Sequence, residues 1–517
     1  MKHTLIALAT ATLLTASPAF AGTDAHALPA GIAWQQGDVA AAFAQAKAER
    51  KPIFLYWGAA WCPPCNQVKS TIFNQQSFIE KTRLFVPVYL DGDSPNAQKL
   101  GEQFKVRGYP TMILFNPDGA ELTRLPGEVD AERYVKALGI GLSAAHPIQQ
   151  TLENALADPK KLAADDWRML ADYAWDSDEA KLLPADKIPS TLQQLSSSVP
   201  ASLADTALRL QLKAVAAAAT AKRPASFDKP AGAAAVARLV ADAKQARANF
   251  DISVNYAADL TGYLTRERSP ERDKLVNDWH AVLSKLSSDS SLSTTDRLSA
   301  VSSRIALAKL DQPKGGALND KLLAAVRSQV AEADKNTSNG YERQSVISAA
   351  AEALSSAGLI DESDKLLQAE LKRSHSPYYF MLALAANAKS RGDKVAALNW
   401  YEQAYNASEG PATRLQWGSS YIAGIVELAP QDEARLEKAA STILTELSGI
   451  QNAFYERNRR SLERLVGKLG SWNKDKQHDA TVQRVLSQLD GVCNKLPAAD
   501  PQKPICETIA KGGKSSG

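Results

Sequence analysis

Cysteine, histidine and long apolar runs are scarce in this chain. Its 517 residues include four cysteines and six histidines. With the histidines scattered and no second cysteine pair at zinc-ligand spacing, there is little from which to build a metal site. Beyond the N-terminus, no stretch is apolar for long enough to span a bilayer. A dominant charge is also lacking: 60 Lys and Arg stand against 57 Asp and Glu, a formal net charge of +3. The basic residues form no long stripe, which argues against nucleic acid as a partner. There is no Walker-type phosphate loop and no Ser nucleophile elbow. What is present is length enough for more than one domain, each with an ample core.

Residues 1–21 read as a secretory signal. Lys2 and His3 form a basic opening, Leu5 to Leu14 is apolar, and Ala19-Phe20-Ala21 offers a small-x-small cleavage site. The expected location is therefore a bacterial periplasm, an oxidising compartment where disulfides persist.

The most informative stretch runs from Ile53 to Cys65. An apolar, aromatic-rich run ends at Gly58, and Cys62 and Cys65 follow with only Pro63 and Pro64 between them. This pattern predicts a buried strand delivering Cys62 to a helix N-terminus, where proline costs no hydrogen bond. A sulfur there lies at the positive end of the helix dipole, which favours thiolate. The Cys-x-x-Cys spacing lets one thiol attack a foreign disulfide and the other resolve the mixed disulfide. A structural disulfide or half of a zinc site are the alternatives for such a pair taken alone.

Trp61-Cys62-Pro63-Pro64-Cys65, together with Val106-Arg107-Gly108-Tyr109-Pro110-Thr111 and the following Met112 to Phe115, resembles the thioredoxin family. The resemblance covers roughly residues 30 to 140 and implies an α/β thioredoxin-like domain, set here at 22–142. It implies a cis proline at Pro110, Cys62 as nucleophile and Cys65 as resolving thiol. Substrate would bind along Tyr109 and Pro110, with Trp61 beside an exposed sulfur. No cofactor is implied beyond the Cys62–Cys65 pair. Two positions depart from the family: its buried acid is Tyr56 here, and the neighbouring lysine falls at about Pro87. The run Cys65 to Phe73 is similar to the periplasmic C-terminal domain of the transmembrane reductant transporter. Gly108-Tyr109-Pro110-Thr111 is similar to the loop of protein disulfide isomerases.

Within this domain Ile32 to Trp34 is a candidate edge strand, and Asp38 a candidate N-cap. The helix from Pro63 is expected to run to about Glu80. Pro87 suggests an exposed or irregular position in its strand. Asn116-Pro-Asp-Gly119 signals a hairpin.

After His146 the composition turns helical, and the expected fold class is an α/β domain followed by a large all-α region. We divide that region at 147–335, 336–490 and a polar tail at 491–517. Asp165-Asp166 before Trp167 and Leu170, and Ser293-Thr-Thr-Asp296, read as helix starts; Lys314–Gly316 and Lys335–Gly340 read as loops. Gly392 to Ala404 resembles the second half of a tetratricopeptide repeat, with Ala397, Tyr401 and Ala404 at small-large-small positions. A weaker copy begins at Gly358, 34 residues earlier, the period of that family. Ser363 and Glu370 depart from its small residues. Tyr455 to Arg460, with Arg464, is a basic patch that could hold an acidic partner, though such runs are more often a solvated helix face. Trp400, Trp417, Tyr421 and Trp472 could line a groove, but core packing is the commoner use. Cys493 and Cys506, 13 apart, are expected to form a structural disulfide.

The expected function is exported thiol–disulfide exchange that reduces protein disulfides, with partners docking on the helical region. A membrane reductant transporter is the expected type of electron donor. The rival readings are a disulfide isomerase and a non-catalytic interaction module.

Overall fold

The computed structural model describes residues 28–94, 96–127, 130–176, 182–313 and 316–512. The signal read at 1–21 and most of the Lys314–Gly316 loop lie outside them. Among the described residues no helix is long and apolar enough to cross a membrane.

The N-terminal unit is built on a five-stranded sheet, with strands β1 (Gln35–Gln36), β2 (Ile53–Gly58), β3 (Val86–Asp91), β4 (Thr111–Phe115) and β5 (Glu121–Leu125). Their order is β1-β3-β2-β4-β5. The first three are parallel, β4 pairs antiparallel with β2, and β5 pairs antiparallel with β4. Every residue of β2 is buried, as expected of a central strand covered on both faces. Its alternation divides the two cores. Phe54 and Tyr56 join Phe73, Phe78 and Tyr134 on one face; Ile53, Leu55 and Trp57 join Val39, Ala42 and Ala46 on the other. The helices are α1 (Val39–Glu49), α2 (Pro63–Val68), α3 (Gln76–Lys81), α4 (Ala97–Gln103) and α5 (Ala131–Leu142). Asp38 caps α1 by accepting from the Ala41 amide at 2.9 Å.

Three local expectations need correction. The edge strand forms at Gln35–Gln36, just after Ile32 to Trp34. The helix from Pro63 does not continue to Glu80: a π turn at Lys69–Phe73 interrupts it. Ser70 and Thr71 both donate their hydroxyls to the Gln67 carbonyl, at 3.1 and 2.8 Å, back-bonding of the kind that bends helices. Pro87 is buried in β3. The Val86 amide donates to Pro52 on the β2 side, so by alternation the position of the missing Pro87 N–H faces the other side. There β1 pairs only Val88 and Tyr89, and no ladder bond is lost.

The rest of the chain is helical, from Ile148–Ala157 to Gln502–Ala510. Helix Ala164–Asp172 buries Trp167 and Leu170, and Ser293 and Asp296 form a reciprocal capping box. The loop read at 335–340 shrinks to residues 337–339, between Asp320–Asn336 and Gly340–Ser356. Hairpins follow, pairing Gly340–Ser356 with Ile360–Glu370, and Pro377–Ser390 with Lys394–Ala407. Gly358 and Gly392 sit in the two hairpin turns at φ 84° and 79°, a conformation open to glycine. Ala397 and Ala404 are fully buried. The departing residues face inward and find partners. The Ser363 hydroxyl donates to the Ala351 carbonyl at 3.0 Å, and Glu370 accepts from the buried Arg343 at 2.6 Å.

The segment read as a polar tail also folds. Helix Asp479–Asn494 carries Cys493 in its last turn, the chain reverses, and Gln502–Ala510 carries Cys506. Pro504 falls in the first turn of that helix, where the missing N–H has no intrahelical acceptor to lose. Cys493 and Cys506 are disulfide-bonded and fully buried. A Cys493→Ser/Cys506→Ser protein is expected to lose about 3 kcal/mol of stability by the chain-entropy estimate. Denaturant unfolding measures this, and a graded redox buffer should leave the pair oxidised after Cys62–Cys65 has been reduced.

Candidate functional site: a dithiol beneath a helical cover

At the C-terminal end of β2 the chain turns through Ala59 to Trp61, and Cys62 becomes the N-cap of α2. Pro63 and Pro64 occupy its first turn, so neither offers an amide to the sulfur. The Cys65 amide does, at 3.2 Å from Cys62 Sγ. Cys62 and Cys65 are disulfide-bonded, their Cα atoms 5.2 Å apart. Opposite them the Tyr109–Pro110 bond is cis, and the Tyr109 carbonyl oxygen lies 3.5 Å from Cys62 Sγ. The fold thus brings Trp61, Cys62, Cys65, Tyr109 and Pro110 together at one end of the sheet. Asn66 fastens the loop behind them, donating to the carbonyls of Ala60 and Cys62 at 2.7 and 3.0 Å.

The expected exposed sulfur is not found. Cys62 is 2% exposed, Cys65 0% and Trp61 9%, because the helical region lies across this end of the domain. The Trp61 ring packs edge-on to Trp417, with centroids 4.9 Å apart, and stacks near Tyr379 at 6.0 Å. The Arg457 guanidinium lies 4.5 Å from the Tyr109 ring centroid and 5.6 Å from that of Trp61, within cation–π range. Gln344 donates to the Trp61 carbonyl at 3.3 Å, and His375 Nε2 is 3.1 Å from the Ala60 carbonyl. So Trp417 lines a groove as well as packing in a core, and this chain's own α/β unit fills the groove. Three of the arginines, Arg457, Arg459 and Arg460, likewise face the α/β unit, while Arg464 stays exposed. Arg459 pairs with Glu102 at 3.5 Å, and Arg460 donates to the Arg107 carbonyl at 3.1 Å.

Sequence reasoning missed the residue that organises this contact. Helix Pro411–Leu428 starts at Gly410, which has no side chain to cap it. Asp93, just after β3, supplies the missing acceptor: its carboxylate takes the Thr413 amide at 2.7 Å and the Thr413 hydroxyl at 2.6 Å. Trp61 Nε1 donates to that same hydroxyl oxygen at 2.8 Å. A Cβ at Gly410 would collide with the Asp93 carboxylate, so only glycine admits it. Burial pushes the Asp93 carboxyl up to about 6, against a smaller opposing effect of its Thr413 bonds. The available signal was a Gly-Pro helix start, whose N-cap glycine carries no side-chain acceptor of its own.

Beneath the disulfide, the position of the family's buried acid is apolar in character. Tyr56 is fully buried, its hydroxyl unpartnered, and burial drives its pKa far upward. A cation replaces the acid nearby. Lys69, one helical turn beyond Cys65, is 2% exposed with Nζ unpartnered. Its Nζ lies 5.6 Å from the Tyr89 ring centroid and 6.0 Å from that of Tyr341.

A family model described as a thioredoxin-like domain matches residues 39–140. Residues 39–140 are a thioredoxin-like domain. The match leaves the helical region outside it. The thiol:disulfide interchange protein DsbD of Pseudomonas fluorescens is 32% identical over 95 residues, 18% of this chain and 16% of that protein. DsbD of Photorhabdus laumondii is 32% identical over 89 residues, 16% and 15% of the two chains. DsbD of Campylobacter jejuni is 27% identical over 90 residues, 17% and 16%. This chain therefore spans about one sixth of the length of these curated relatives. A solved structure titled DsbH Oxidoreductase aligns at 23% identity and a TM-score of 0.20, covering 26% of this chain and 94% of its own.

Lys69 tests the electrostatics under the thioredoxin-like domain's dithiol. Burial lowers its pKa from 10.5 to about 8, with Asp91 opposing. Between about 8 and 10.5 the folded protein binds fewer protons than the unfolded chain, so this residue's contribution to stability rises with pH across that window. Below it the cost is constant, on the order of 3 kcal/mol at 1.36 kcal/mol per unit. Lys69→Met is expected to be more stable than the natural protein at pH 7, with the gap closing towards pH 10. Denaturant midpoints at both pH values measure this; equal gaps would show that Lys69 carries no buried charge.

Proposed function

We propose that this chain is an exported thiol–disulfide oxidoreductase that reduces protein disulfides through Cys62 and Cys65. The observation that carries the reading is the Cys62–Cys65 disulfide at a helix N-terminus, facing a cis Tyr109–Pro110 bond within a thioredoxin-like domain. The names of the DsbD relatives, which describe thiol:disulfide interchange, agree with it.

In the reduced domain, Cys62 thiolate attacks one sulfur of a partner disulfide. A mixed disulfide forms and the partner's other sulfur leaves as thiolate, taking up a proton. Cys65, deprotonated, then attacks Cys62 Sγ. The Cys62–Cys65 bond re-forms and the second partner thiol is released. Two electrons have passed to the partner, and an external dithiol must restore the domain, for which a membrane reductant transporter is the proposed type of donor. Trp61, Tyr109 and Pro110 would form the surface on which the partner lies, Tyr109 and Pro110 pairing with it as an added strand. We assign the helical region, a tetratricopeptide-like platform in its 336–490 part, a role in choosing partners. The expected compartment remains the periplasm.

Direction follows from the α2 N-terminus. With Pro63 and Pro64 offering no N–H, Cys62 sulfur has the Cys65 amide and the dipole to stabilise it. A modestly stabilised thiolate makes a weak oxidant. Equilibration with glutathione is expected to give a potential nearer about −270 mV than about −120 mV. A value at the oxidising end would reverse the direction. In an insulin-reduction assay Cys62→Ser should fall to background, and Cys65→Ser should accumulate mixed disulfides. Undiminished turnover by Cys62→Ser would remove the function itself.

A further inference from the structure

We infer that the helical region is an access gate on its own thioredoxin-like domain, latched by the chain of bonds Trp61–Thr413–Asp93, and that a partner disulfide reaches Cys62 only when this latch opens. The purpose of such a gate rests on the proposed dithiol chemistry; its existence does not.

Disulfide exchange needs the attacking and leaving sulfurs in line with Cys62 Sγ, with a partner backbone alongside Tyr109 and Pro110. The space at the sulfur is closed, and at the loop the Arg457 guanidinium lies over the Tyr109 ring at 4.5 Å. Cys62 is 2% exposed. Trp61 is held by Thr413, Trp417, Tyr379 and the Arg457 guanidinium. The closed arrangement is therefore silent towards any macromolecular disulfide.

The contact is made in a way that lets it separate. Its hydrogen bonds and ion pairs join Asp93 with Thr413, Gln344 with the Trp61 carbonyl, the Arg457 amide to Gln98 at 3.1 Å, and Arg459 with Glu102. These polar groups regain water on opening, whereas the apolar packing of Trp61, Cys62 and Cys65 against Tyr378 and Trp417 is what opening must give up. The attachment is also lopsided. Residues that lie over Trp61 come from position 344 onward. The earlier helices hold the domain elsewhere, through Arg133 to Asp172 at 2.5 Å and Arg247 to Asp130 at 3.1 Å. Releasing the latch thus frees the dithiol face without detaching the domain.

Asp93 and Thr413 are the points to break. Thr413→Val keeps shape but removes the hydroxyl that joins Trp61 to Asp93, whereas Thr413→Ser keeps it. The assay takes the full chain with Cys62–Cys65 reduced and measures labelling of Cys62 by N-ethylmaleimide and by the same maleimide on a 5-kDa polyethylene glycol (about 5 kDa, a size class chosen to exceed any side-chain gap). The ratio of the two rates cancels differences in thiol pKa, because the chemistry is identical. Peptide mass spectrometry assigns the label. In the natural protein the small reagent should win by a wide margin. Thr413→Val and Asp93→Ala should reduce that ratio about tenfold, equivalent to ~1.4 kcal/mol of latch energy, and Thr413→Ser should not. An unchanged circular dichroism spectrum and an intact Cys493–Cys506 bond show that a variant is folded.

The gate is overturned if the natural protein labels equally fast with both reagents, or if Thr413→Val and Thr413→Ser behave alike in folded protein. Insulin reduction separates the two readings. A Thr413→Val protein that exposes Cys62 yet reduces nothing sustains the gate and removes the oxidoreductase. A natural protein open to the large reagent and active on insulin does the reverse.

Discussion

One carboxylate joins the dithiol end of the sheet to the helix that covers it. Asp93 belongs to the thioredoxin-like domain, yet it completes the N-terminus of a helix more than three hundred residues further along the chain. A helix start leaves several amides without intrahelical acceptors and gathers partial positive charge. Helix Pro411–Leu428 brings to that end a glycine in place of a capping residue. The deficit on one side and the acid on the other are complementary, and the Thr413 hydroxyl extends the connection to the Trp61 indole. A helix cap therefore reaches the residue adjoining the reactive cysteine, alongside its contacts with Trp417, Tyr379, Gln344 and Arg457.

Much of the α/β domain was legible because its information is local. The Trp61 to Cys65 run, the Asn116–Gly119 turn and the apolar β2 segment each fix their own structure over a few residues. Ser293 with Asp296 and the glycine pair at 358 and 392 were readable for the same reason. The cover was not, since its contacts join residues such as Trp61 and Gln344 across 283 positions. Arg457 and Trp417 stood out as unusual, but composition cannot distinguish a groove that is empty from one filled by the same chain. Pro87 and the interrupted helix after Pro63 were misjudged on subtler grounds. One depends on which side of a strand lacks a neighbour, the other on hydroxyls of Ser70 and Thr71 competing for a single carbonyl.

The buried polar groups divide by how they are satisfied. Arg343 with Glu370, and Arg209 with Asp172 and Asp251, are paired charges that fix helix against helix. Removing one partner from such a pair leaves an uncompensated charge, which is why they specify packing more than they stabilise it. Lys69 and the Tyr56 hydroxyl have no such bond. Unsatisfied groups of this kind are uncommon in protein interiors. Among the described residues they are spread from Trp34 to Arg459; Tyr56 holds the family's buried-acid position, and Lys69 directly follows the dithiol helix.

The separation in sequence between the domain and its cover also orders events in time. Chains fold as they are made, N-terminal units first, and contacts between distant positions form late because long loops must close before they are rewarded. Residues 35–142 can complete the sheet and its helices from local contacts, while Gln344, Thr413 and Arg457 are still unmade or unthreaded. A newly made molecule thus passes through a period with Cys62 and Cys65 bare, ahead of the arrival of Cys493 and Cys506. The early pair can close on itself before the late pair exists to compete, and the later helices then settle over a bond already formed. The order of the chain is in this sense a chaperone for its own sulfur pairing.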